Sequence, residues 1–138
     1  MRNRDLARDY VRRAGFRLKA IDVLFEHESW PDVVGESQEA VELALKGLLR
    51  ASGIEPPRIH DVSQVLLQER ERLPETLRGE VDRLARLSKQ LRRDRELAFY
   101  GTEDVTPSEF YSREDATEAR EGLRLVLSLV VPCVPEKR

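Results

Sequence analysis

The densest chemistry in the chain lies in the run Arg92-Arg93-Asp94-Arg95-Glu96-Leu97-Ala98-Phe99-Tyr100-Gly101. Three arginines stand within four positions, and a tyrosine and a glycine close the stretch. A guanidinium stays charged and donates two parallel hydrogen bonds, which suits it to phosphate. Arg92, Arg93, Arg95 and Tyr100 are therefore candidate residues for binding a nucleotide or RNA. Arg95 and Tyr100 are five positions apart, which on an ideal helix separates them by about 140°. They can converge only if the helix ends between them, or if a two-fold partner supplies the other half. An ordinary helix end would instead leave Arg92 and Arg95 in water or paired with Glu96, and Tyr100 packed with its hydroxyl solvated.

Glu42 and Lys46 form a second candidate, an i,i+4 pair in the favoured orientation. The flanking sequence Ala40-Val41-Glu42-Leu43-Ala44-Leu45-Lys46-Gly47-Leu48-Leu49 is apolar on more than one face, so the pair is expected to be partly buried. Buried ions need partners, and Arg95 is a candidate partner for Glu42. Glu36 and Glu39 extend an acidic line, but no Glu-x-x-His or second acidic helix accompanies it, and no metal or other cofactor is expected. The two histidines, His27 and His60, are far apart and read as structural: His27 at a helix end, His60 fixing the loop before a helix. Trp30 and Phe16 are expected to supply packing. No Gly-rich phosphate loop, nucleophile elbow or helix-turn-helix signature is present.

The elements that must hold these residues all carry helical periodicity. Leu6, Tyr10, Ala14, Leu18, Ile21 and Phe25 form one stripe over about Asn3 to His27. Ser29, Pro31 and Asp32 read as a capping box opening a second helix that runs to about Ala51. After Pro56-Pro57, Asp61 caps a third helix with Val62, Val65, Leu66 and, near its end, Leu73. Pro74 restarts the chain as a long fourth helix with Leu77, Val81, Leu84, Leu87 and Leu91 inward, stopped by Gly101. Thr106-Pro107-Ser108-Glu109 predicts a single turn. Ser112-Arg113-Glu114-Asp115 predicts a capping box for a last helix, with Ala116, Ala119, Leu123, Val126 and Val130 inward. Nothing alternates with period two. The expectation is an all-α, up-and-down helical bundle of four long helices plus a shorter fifth, one domain over residues 1–138 whose last few residues are a tail.

Composition narrows the function classes. The 24 basic and 26 acidic residues leave a net charge of -2, so any nucleic-acid contact must come from a local patch, and 20 of the basic residues are arginine. Cys133 is the single cysteine, which excludes an internal disulfide and a cysteine-based zinc site. No apolar run approaches the ~20 residues that span a membrane, and the charged N-terminus does not read as a signal peptide. A soluble, cytoplasmic protein with no membrane partner is expected.

Three stretches in order resemble the HEPN family (higher eukaryotes and prokaryotes nucleotide-binding), small helical bundles of bacteria and archaea. Gln38 through Leu49 is similar to the family's second-helix signature. His60-Asp61-Val62 resembles the histidine that opens its third helix. Arg95 through Gly101, with Phe110-Tyr111-Ser112, resembles its C-terminal motif. The resemblance implies a two-fold homodimer packed through helices, and for many members an adjacent minimal nucleotidyltransferase in toxin–antitoxin or related pairs. Catalytic members are metal-independent ribonucleases with an arginine followed, four to six residues on, by a histidine at the dimer cleft. Here Arg95 matches the arginine, but Tyr100 stands five residues on, and no histidine follows Arg95. An unperturbed tyrosine titrates near 10 and is a poor base at neutrality, whereas histidine titrates near 6.5. Loss of a positioned acid–base group removes on the order of 10²–10⁴ in rate. The expected function is therefore a non-catalytic or weakly active dimeric module that binds nucleotide, RNA or a partner nucleotidyltransferase through Arg92, Arg93, Arg95 and Tyr100, supported by Glu42 and Lys46. The alternatives are a metal-independent endoribonuclease using Arg95 with Tyr100, and a purely structural dimerisation module.

Overall fold

A computed structural model of the chain describes residues 2–58 and 61–135, and within these the side chains of all but residues 2 and 94–96. Six α-helices occur among the described residues: α1 (Arg2–Glu26), α2 (Trp30–Ala51), α3 (Val62–Gln68), α4 (Val81–Tyr100), α5 (Pro107–Phe110) and α6 (Arg113–Val130). The four long ones are α1, α2, α4 and α6, and no strand accompanies them among the described residues. The fold is the expected all-α bundle.

Helix α2 is the centre. Ala40, Val41, Ala44, Leu45, Leu48 and Leu49 are all buried, on faces turned to α1, α4 and α6. Helix α1 returns against it antiparallel, with Val11, Ala7 and Tyr10 closest to Gly47. A Cβ at Gly47 would stand 2.8 Å from Val11 Cγ2 and 3.2 Å from the Ala7 carbonyl oxygen. That close approach rotates the first turns of α1 away from the expected stripe. Ala7 and Val11 are buried beside Ala14 and Ile21, while Leu6 and Tyr10 are only half-buried. Small side chains win the inner positions because only they fit where two backbones come together.

Several local expectations are borne out by geometry. Asp61 accepts from the Ser63 backbone N–H at 2.9 Å and starts α3. Thr106 starts the single turn of α5, and Ser112 with Asp115 forms the reciprocal capping box of α6. Others need correction. The Ser29 hydroxyl donates to the Asp32 carboxylate at 2.6 Å, so no side chain caps a backbone N–H of α2. Phe16 is 56% exposed rather than packed, because it follows Ala14 by two positions and so turns to the opposite face. Trp30 does pack, edge-to-face on Phe25 at 5.0 Å between centroids. Helix α3 stops at Gln68, and 3-10 turns at Arg70–Arg72 and Glu75–Glu80 replace the expected end of α3 and start of α4. The tighter turns still bury Leu73 and Leu77, and Gly79 disfavours a regular helix there by ~1 kcal/mol. His60 lies outside the described residues.

Glycine substitutions test this packing. Gly15 has open space around it, so Gly15→Ala should raise stability by about 0.5–1 kcal/mol through helix propensity alone. Gly47→Leu should lower it by about 1–3 kcal/mol or more through overpacking. Denaturant midpoints of the two variants should therefore move in opposite directions, and equal shifts would contradict the close α1–α2 contact.

Candidate functional site

Helix α4 continues unbroken to Tyr100 and stops because the chain reverses at Gly101. Gly101 has φ 71°, and its N–H donates to the Leu97 carbonyl at 2.9 Å. A Cβ there would stand 2.7 Å from both the Val105 carbonyl oxygen and Pro107 Cδ, so both backbone conformation and space require glycine. The same end is clamped to α2: the Phe99 ring lies on Gly35, where a Cβ would come within 2.6 Å of Phe99 Cζ. Helix α4 therefore runs antiparallel to α2, and its last turn sits over the first turns of α2.

Because the helix does not end between positions 95 and 100, the two remain about 140° apart around one axis. One chain alone does not bring them together on a single face. The Arg95 side chain, and with it the expected pairing to Glu42 or Glu96, lies outside the described residues.

Arg93 does align with Tyr100. Seven residues place them within about 20° of each other, about 10.5 Å apart along the axis. Both are exposed, and Tyr100 is 80% exposed with its ring edge-on to Phe99 at 6.3 Å. Arg86 and Lys89 stand exposed on the same crest. Sequence reasoning passed over them, although their steps of three, four and seven residues toward Arg93 and Tyr100 mark one helical face. Arg92 points elsewhere. Its guanidinium approaches the α3-capping carboxylate of Asp61 at 3.9 Å, a half-exposed contact of small energetic weight.

The Glu42–Lys46 pair forms as expected, at 3.7 Å and half-buried. Glu42 also accepts from Gln38 Nε2 at 3.1 Å. Gln38 is only 3% exposed, and its Oε1 meets no hydrogen-bond partner. Together with Arg17, Glu39 and Leu43, the pair lines a shallow cavity of about 100 Å³ between α1 and α2. Glu36 turns to Arg17 at 3.8 Å, and no group of acids, histidines or cysteine that could hold a metal occurs among the described residues. Two turns of α2 separate Glu42 from Gly35, and hence from the level of Tyr100. Within one chain, Glu42 is therefore level with Arg92 and Lys46 with Ser88, and neither joins the Arg93–Tyr100 crest.

An up-and-down helical bundle with an arginine–tyrosine crest at the end of its third long helix is the class that fold and site define. The chain belongs to the HEPN domain family, whose model matches residues 7–134. No curated protein and no solved structure matches it significantly. No helix among the described residues is long and apolar enough to cross a membrane.

The exposure difference among tyrosines is directly measurable. Tyr100 should be nitrated well before Tyr111, which is 5% exposed, when the folded protein is treated with tetranitromethane and the peptides are weighed by mass spectrometry. Equal labelling would mean that the end of α4 does not stand in solvent.

Proposed function

We propose that this HEPN domain is a dimeric binding module with little or no catalytic activity, whose ligand is a nucleotide or RNA held through the C-terminal half of α4. The observation that carries the reading is the alignment of Arg93 with the exposed Tyr100 on one crest. A guanidinium there can pair with a phosphate while the tyrosine ring offers a face for a base, a combination suited to unpaired strands. Arg92 and Arg95 add cationic charge to the same two turns. Glu42 and Lys46 support the neighbouring α1–α2 surface.

The absence of histidine after Arg95, with a tyrosine in its place, is what argues against a ribonuclease. The exposure of Tyr100 favours a second reading. A partner minimal nucleotidyltransferase, as in toxin–antitoxin pairs of this family, would find the Tyr100 hydroxyl accessible as an acceptor.

Binding of a short single-stranded RNA, titrated at several salt concentrations, tests the first reading. Arg93→Ala should weaken it and lower the magnitude of the salt slope by about 0.7, the loss of one phosphate contact on a single strand. An unchanged slope and affinity would remove Arg93 from the interface. In chelator, wild type and Arg95→Ala should cleave RNA at the same background rate; a clear loss in the variant would instead establish the endoribonuclease.

A further inference from the structure

Helix α3 lies against the first half of α4 and leaves a cavity of about 260 Å³ between them. Its floor is apolar: Ala85 is buried and contributes only a methyl, and Leu67 stands 44% exposed beside it. Ser63 and Gln64 line the α3 wall, Arg86 and Lys89 the α4 wall. Asp61 and Asp82 also reach the cavity, but the fold already answers their charge. Asp82 pairs with Arg70 at 2.6 Å, and Asp61 accepts the Ser63 N–H and faces Arg92. Arg86 and Lys89 are exposed and have no ion-pair partner among the described residues, so two cations stand uncompensated at the rim. Gln64 is exposed as well, with its side-chain amide free to donate and to accept.

We propose, resting on the binding role above, that this cavity takes one unpaired nucleotide of the bound strand. Its heterocycle enters between α3 and α4, and its phosphate lies on Arg86 and Lys89. The cavity falls a little under the ~300–1,000 Å³ of small-molecule pockets, which is room for a single heterocycle and not for two. A bare anion would use the cations alone. A flat ring with polar edges also uses the Ala85–Leu67 floor and the Gln64 amide, the combination by which unpaired bases are read. The two cations are shared with the crest. Arg86, Lys89 and Arg93 climb one face of α4 at steps of about 4.5 and 6 Å, and the ring of Tyr100 follows about 10.5 Å further on. A strand that lays its phosphates on that stair turns one base toward α3 and brings another within reach of Tyr100. Arg83 stands off the track, on the α6 side of the helix, and pairs with Glu80 at 3.8 Å.

Photo-crosslinking of the full chain locates the base. A short single-stranded RNA carries one 4-thiouridine, placed at each position in turn and irradiated in the complex. At one position the label should crosslink to the tryptic peptide that holds residues 63–67. The double variant Arg86→Ala, Lys89→Ala should lose that crosslink and lower the magnitude of the salt slope by about 1.4, two phosphate contacts on a single strand. Arg83→Ala should leave crosslink and slope unchanged, and circular dichroism checks that each variant is folded. Crosslinks confined to other peptides, a double variant with the wild-type slope, or an equal loss in Arg83→Ala would overturn the pocket. The crest would still stand if Arg93→Ala weakened binding. A wild type that binds no RNA would overturn both.

Discussion

Helix α2 surrenders its surface to α1, α4 and α6, and the placement of every other helix follows from how each meets it. Leu45, Leu48 and Leu49 are completely buried, and burying each such side chain is worth about 1.5–3 kcal/mol. Two glycines set the distances. Gly47 admits α1 until its backbone almost touches, and Gly35 receives the Phe99 ring of α4. A helix covered on three sides cannot slide or rotate without opening cavities elsewhere, so it fixes both the axis and the end of α4.

The consequence for function lies in what α2 does not fix. It holds α4 along one face and clamps its last turn, leaving the opposite face to point outward as a rigid crest. The Arg93–Tyr100 alignment is therefore set by a helix whose end α2 holds in place. A rigid cationic crest loses less side-chain and backbone freedom on binding than a loop carrying the same residues. The same geometry leaves α4 and α6 separated, since each packs on α2 rather than on the other.

Much of this was legible in the sequence, and the failures have physical causes. Helix existence and order follow from apolar periodicity together with strong punctuation: Asp61, Ser112 and Gly101 do at their positions what their side chains or lack of one favour. The Ser29 expectation failed because a nearby carboxylate competed for the hydroxyl, an outcome a pattern of residue types cannot rank. The α1 stripe was read one step off because the determining contact is Gly47, over thirty residues away. At the candidate site, residue identity was legible but direction was not. Arg92 and Arg93 are adjacent in sequence, yet one turns to Asp61 and the other joins Tyr100, a division that requires knowing which side of α4 is covered.

Direction also bears on Tyr100, which stands where the family resemblance implies a histidine in catalytic members. A general base must be held within hydrogen-bond reach of the proton it removes, with a pKa near the working pH. Tyr100 does not meet the first condition within one chain: it is 80% exposed at the end of α4. Full exposure on a fixed helix end is a poor setting for a base but a good one for a surface to be touched. A ring can stack there, and a hydroxyl can be reached by another protein's active site. Phosphate recognition asks charge and direction of an arginine, not proton transfer, so the proposed binding role makes no demand for an acid–base group.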